Sequence, residues 1–392
     1  MFLVPGYRVE IASYRGRPVA DAPELRRDFP PGYDGPVTLV TRVDEADGEI
    51  RRALMPVAGH HIAVDPRGRR AVFCGMNAAH SALFDVASLR FEGLLAPHAG
   101  DYIAGGHAQF TPDGKYLLAT ERKRYDLPAR DLVERHGRLV VRDAATLAVL
   151  ASHDAGGIAP HDLRLTADGR HAVIANYGSI DLPSPAARPR IVEPSVTAVD
   201  LATGLVAHKW AAPVNDAEAR HVAVHGLDRV AAVLSRPGTV DDDRSLAAEI
   251  DAVLEPDLLA EEGRRYMPAP VALFDAARGG EAISVMPEDP LLARQGQSIA
   301  YDPPHDEMLV AFTTSHALIV FAADSGRVKR VIHTDRLGLR YPRGVALHPD
   351  GAHYAVSGGW QGLIQFRRGE HALVPGRALF PVFFDHSHLT AV

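Results

Sequence analysis

One arrangement of apolar and polar positions recurs along the chain: a short apolar strand, a polar turn and a second apolar strand. It reads HIAVDPRGRRAVFCGM from His61, HAQFTPDGKYLLATE from His107 and HDLRLTADGRHAVIANYG from His161. It continues as HVAVHGLDRVAAVLS from His221, SIAYDPPHDEMLVAFT from Ser298 and GVALHPDGAHYAVSGG from Gly344. The turn is most often P-D-G or A-D-G, in which Pro presets φ, Asp bonds its own backbone and Gly accepts a positive φ. A second element follows five of these hairpins: LFDVAS (83–88), VRDAAT (141–146), AVDLATG (198–204), LFDAARGG (273–280) and FAADSG (321–326). Each unit therefore encodes about four strands. Unit starts are 46, 54, 60, 77 and 46 residues apart.

Four-stranded repeats of this length, with no long helical patterns between them, predict an all-β β-propeller. A doubly wound α/β fold would need helical stretches of about 10–15 residues, which are missing. HLTAV (388–392) begins 44 residues after Gly344 and reads as one more innermost strand. Three further strands, 7–14, 36–44 and 49–57, precede the first repeat. Joined to 388–392 they complete a seventh blade, and that N/C-terminal closure removes the sheet edges an open ring would leave. The expectation is one seven-bladed domain over 1–392.

Two stretches enlarge the repeats, 122–137 and 237–268. Within the second, Leu246, Ile250, Val253, Leu254 and Leu258 recur at helical spacing, so a broken amphipathic helical insertion in one blade is expected. Packing on the propeller's face is its plain role, and a lid or a protein-partner surface is the other. LPSPAARP (182–189) is a further loop.

Composition narrows the classes. Hydrophobic residues are 46% and charged ones 23%, enough to build a core. The net charge of −7 leaves no electrostatic footprint for nucleic acid, and no apolar run is long enough to span a membrane. A single cysteine, Cys74, excludes an internal disulfide and Cys-rich zinc modules and reads as core. Phosphate-binding loops, H-E-x-x-H and G-x-S-x-G are absent.

The chain has 20 histidines, and their placement is not random. In a propeller the first residue of each innermost strand lies at the rim of the central channel. Those seven residues are His61, His107, His161, His221, Ser298, Gly344 and His388, where the overall histidine frequency would give about a third of one. One such histidine reads as structural. Five at equivalent starts would repel if protonated, and a cation taking their lone pairs relieves this.

The candidate ligands, in order, are His107, His221, His161, His388 and His61. The register is uneven: His61 and His107 stand seven residues before their turn glycines, but His161 stands eight before Gly169. Either a bulge absorbs one residue or Asp162 takes the inward position. The doublets His60–His61 and His386–Ser387–His388 leave the same choice. Imidazoles suit iron, copper, zinc or nickel rather than calcium or magnesium, and iron is preferred, copper next. Asp162, Asp385 and Glu121 are candidates to accept a ring N–H. Gln297 and Arg343, each preceding a start that lacks histidine, can hold an anionic small-molecule substrate or simply bond between blades. Asp162, Gln297 and Arg343 are thus the candidate catalytic residues.

GGHAQFTPDGKYLLATE (105–121), GGIAPHDLRLTADGRHAVIANYG (156–178), PSVTAVDLATG (194–204), ARHVAVHGLD (219–228) and DHSHL (385–389) resemble the bacterial propellers of the domain of unknown function 1513 family, over roughly residues 60 to 392. The resemblance implies a propeller fold and places the pattern histidines on His107, His161, His221 and His388. It also implies a periplasmic, iron-linked role, since members often carry an export signal. This chain shows no such signal, so it is expected to be cytoplasmic as given, and periplasmic if a signal has been removed. Its two inserts are longer than the family's pattern. The function expected is a histidine-ligated iron or copper redox enzyme acting on a small molecule. The alternatives are a non-catalytic metal carrier or sensor, an interaction scaffold with structural histidines, and a lyase using a channel histidine as base. By analogy of fold alone, propellers with four-histidine iron cleave alkenes with dioxygen, and others with histidine-bound copper reduce small oxides.

Overall fold

Each hairpin forms where the alternation and its turn require it. At 61–76, the strands Gly59–Val64 and Arg70–Ala78 pair antiparallel. Their turn closes by Gly68 N–H to Asp65 O, with Gly68 at a φ of 66° and Arg69 N–H donating to the Asp65 carboxylate. The turns at Thr111–Gly114 and Thr166–Gly169 repeat this, with Thr111 and Thr166 each donating a hydroxyl to the aspartate two residues on. The structure is a computed structural model and describes residues 1–8, 13–14, 17–18, 29–45, 47–181, 189–238, 265–278, 280–358, 362–378 and 388–392.

The chain divides into two compact units. Unit 1 comprises Met1–Arg122, Arg138–His153 and Arg336–Val392; unit 2 comprises Lys123–Gly137 and Asp154–Asp335. Every named strand pairing is antiparallel, and among the described residues there is no α-helix, only short 3-10 turns.

In unit 1, Thr390–Ala391 pairs with Phe2–Arg8, which pairs in turn with Thr38–Val43 and Ile50–Met55. The first strand is therefore Phe2–Arg8, not 7–14. The physical reason is burial: Phe2, Leu3 and Val4 are each fully covered, and this apolar run outweighs the alternating YRVEIASY that follows. The next sheet runs Gly59–Val64, Arg70–Ala78, Ser81–Asp85 and Phe91–Leu95. Tyr102–Phe110 pairs with Arg70–Ala78, and Tyr116–Lys123 pairs with His136–Asp143. The last repeat shows three strands, Pro342–Leu347, His353–Gly358 and Leu363–Arg367, among the described residues.

Unit 2 holds the sheet Pro160–Leu165, His171–Asn176, Ser195–Asp200 and Val206–Ala211. It also holds the sheet Gly296–Asp302, Glu307–Phe312, Ala317–Ala322 and Val328–His333. A third sheet runs Glu218–Val224, Val230–Gly238, Val271–Phe274 and Ile283–Val285, and Val230–Gly238 extends to pair with Arg265–Met267. The predicted insertion at 237–268 is thus entered and left through a paired stem, Pro237 opposite Tyr266 and Gly238 opposite Arg265. The predicted helix between them, and the loop 182–188, lie outside the described residues. The insert 122–137 carries one 3-10 turn, Val133–Arg135.

Cores form where apolar faces of neighbouring sheets meet. In unit 1, Leu3, Val40, Met55, Ile62, Phe73 and Phe84 share one cluster. In unit 2, Val310, Phe312, Ile319 and Phe321 centre another, and Val196, Trp210, Val222 and Phe274 a third. Each fully buried Phe contributes roughly 1.5–3 kcal/mol. These cores fix the strands whose first residues carry the histidines.

Candidate metal centre

The strand starts share one irregularity. The register shifts between Gly59 and His61, Ala219 and His221, Gly296 and Ser298, and Pro342 and Gly344, leaving His60, Arg220, Gln297 and Arg343 as the extra residue in each. A bulge bends the strand and re-aims the side chain that it carries. It lets two consecutive residues at a strand start escape the strict up–down alternation.

His60, His107, His161, His221 and His388 are all buried, and each presents a candidate ligand nitrogen. Three belong to unit 1 and two to unit 2.

In unit 1, ring nitrogens of His60, His107 and His388 lie within 4.8 Å of one another. His60 Nε2 and His388 Nε2 are 3.0 Å apart, and the ring centroids of His107 and His388 are 4.5 Å apart. Glycines set this geometry. A Cβ on Gly59 would sit 2.2 Å from the Phe73 ring, so only glycine can precede His60 there. A Cβ on Gly344 would sit 2.5 Å from Leu389 N, the residue after His388. Thr390 ties the same segment down by donating its hydroxyl to Ile62 O at 2.7 Å. His61 is buried as well, but it stacks on His107 with centroids 4.5 Å apart and planes 20° apart. The bulge thus brings His60 into the ligand group and sets His61 against it. His386 lies outside the described residues.

The spacing suits a shared cation. Two nitrogen ligands at about 2.1 Å from one ion stand about 3.0 Å apart at a right angle and about 3.4 Å apart at a tetrahedral angle. His60 and His388 meet that condition. A buried group of imidazoles is compatible with metal binding, and its donor set is all nitrogen.

In unit 2, His161 Nε2 and His221 Nε2 are 3.1 Å apart, the same spacing. The register shifts between Pro160 and Leu163, and Ala159 adopts a φ of 53°, so a bulge absorbs the extra residue before Gly169. Asp162 points elsewhere than the pair: its carboxylate accepts Leu163 N–H and, at 3.0 Å, Val222 N–H, strapping the two histidine-bearing strands together. Burial pushes the Asp162 carboxyl above its ordinary range, against the nearby Arg164 and these two amides.

Tyr177 packs on His161 with ring centroids 4.5 Å apart. Arg220, adjacent to His221 and 6% exposed, lies between the Tyr177 and Tyr266 rings. It binds Glu218 at 3.0 Å and Gln297 Oε1 at 3.2 Å. Burial works against its charge, but the two tyrosines and Glu218 override it and hold the guanidinium above its ordinary value. Sequence reasoning missed Arg220, although its position, immediately before a strand start, is the one that singled out Gln297 and Arg343.

Gln297 is therefore buried and engaged with Arg220, and Arg343 is buried in its own strand. Glu121 does not meet a ligand histidine: it accepts His98 Nδ1–H at 2.5 Å and is 3.4 Å from Arg142 Nη2. Its position opposite Arg138 in the Tyr116–Lys123 strand carries it past His107 to the strand's far end. Asp385 lies outside the described residues. Cys74 is buried core, with burial pushing its thiol up to about 12.

The family model described as "Protein of unknown function (DUF1513)" matches residues 53–266, more than half of the chain and the span that holds four of these five histidines. The chain belongs to the DUF1513 family. No curated protein matches its sequence. Among solved structures, Kuenenia stuttgartiensis hydrazine synthase is similar with a TM-score of 0.58 at 14% identity, over 89% of this chain and 99% of that one. At that identity the likeness is one of fold. This DUF1513 chain shares an all-β architecture with it.

Proposed function

We propose that this DUF1513 protein binds a transition-metal ion, iron in preference to copper, through His60, His107 and His388, with His161 and His221 as further ligands. In this reading the sheets are the blades of a seven-bladed ring closed by the pairing of first and last strands. The bound ion does redox chemistry on a small molecule, and Arg343, with Gln297 and its partner Arg220, orients an anionic substrate. Asp162 acts as a positioning residue that keeps the His161 and His221 strands in step. The observation that carries the reading is the 3.0 Å spacing of the His60 and His388 Nε2 atoms, from strand starts that only glycine neighbours permit.

Elemental analysis of untagged protein, with an anomalous scan at the iron and copper edges, tests it. About one ion per chain is expected. Two would mean that the histidine sets act separately, and a product that stays metal-free in the presence of both ions would remove the proposal. A carrier that does not turn over substrate is the second reading, favoured by the burial of every candidate ligand. Turnover with dioxygen by the loaded protein separates the two.

A further inference from the structure

Unit 1 contains a small cavity lined by Cys74, Ala104, His107, Ala108, Glu121 and Arg142, among others. It has room for about one water-sized molecule. Most of its wall is alkyl, contributed by residues such as Ala104 and Ala108. Its charged end is closed on itself: Glu121 receives His98 and Arg142, and Arg142 gives Nη1 to Leu147 O and Nη2 to Ala96 O. The Cys74 Sγ–H donates to Val72 O, and burial keeps the thiol protonated, so it offers neither a ligand anion nor a nucleophile. One polar group in the wall is unanswered: Arg142 Nε–H is buried and has no acceptor among the described residues.

These properties select a ligand class. An ion would exchange its hydration for a space whose charges are already paired, at a cost of several kcal/mol. A larger organic molecule does not fit. A neutral molecule of two heavy atoms, apolar along its length and a weak hydrogen-bond acceptor at its end, satisfies both the alkyl wall and the N–H.

We propose that this cavity is a binding site for a neutral diatomic gas of the dioxygen or nitric oxide type, held against the strand of His107 with one atom toward Arg142 Nε. As a source of dioxygen it deepens the redox reading and rests on it for its purpose, but its occupancy does not depend on a bound metal. Small apolar cavities take up xenon, which therefore serves as the probe.

Crystals of the full chain pressurised with xenon test the site, with metal content measured on the same preparation. The expected result is a xenon anomalous peak bounded by Ala104 and Ala108. The peak should be lost in Ala104→Val, which fills the space, while metal content is unchanged. Ala108→Val gives a second variant if the first does not fold. An ordered water on Arg142 Nε with no xenon, or equal xenon uptake in the filled variants, overturns the proposal. Xenon bound in a metal-free protein leaves it standing and sinks only the metal reading.

Discussion

His60 and His388 are 328 residues apart in sequence, yet their Nε2 atoms stand 3.0 Å from each other. Neither ring could approach the other without the bulge at Gly59–His61 and the close seat of Leu389 over Gly344.

Replacing His60 by Ala is expected to weaken iron or copper binding at least about tenfold, the scale seen for lost support at metal sites. His61→Ala should leave the stoichiometry of binding unchanged. Titration of the purified variants with each metal, followed by absorption, checks both. Equal losses in the two would place His61 among the ligands instead.

The double variant His107→Ala, His221→Ala is expected to abolish loading while the protein stays folded. The strands that carry these residues are held by backbone pairing and by the cores beneath them, not by the rings. Circular dichroism alongside metal analysis reads the outcome, and unfolding of the variant would assign the histidines a structural role.

Gly59→Ala should destabilise the fold by about 1–3 kcal/mol, the cost of forcing extra volume into a packed site. The added Cβ meets the Phe73 ring, which is itself fully buried and cannot swing away. Urea denaturation measures the stability. The same variant should bind metal more weakly, because His60 follows directly on the displaced residue.

Acid should expose one turn in particular. The Thr111 hydroxyl, then the Lys115 amide, hold the Asp113 carboxyl down to about 2 from an ordinary 3.8. A carboxylate depressed by folding contributes stability that is present above its unfolded value and lost as the pH falls through the folded one. The slope of stability against pH between about 4 and about 2 should therefore be shallower in Thr111→Val than in the parent. Denaturant midpoints across that range test it.

Much of this architecture was legible in the sequence. The P-D-G and A-D-G turns marked the hairpins, and apolar alternation marked the paired strands. What escaped was set by packing over distance. The choice of Phe2–Arg8 over 7–14 depends on what covers Phe2 and Leu3 once the strand Thr390–Ala391 arrives. The exchange of His60 for His61 depends on a bulge, which a count of positions to the turn glycine does not reveal. Glu121 was judged by its charge and closeness in sequence to a histidine strand, whereas its partner, His98, comes from a loop before that strand. Arg220 shows the reverse: the clue was present, one position ahead of a start, but was applied only where histidine was missing.

A chain leaving the ribosome displays His60 and His107 early, whereas His388 emerges near the end of synthesis. During translation, then, any ion captured by the first two would be held without the third. The finished coordination sphere becomes a record that the polypeptide has been made through residue 388, and premature termination short of it would yield product unable to retain its cargo.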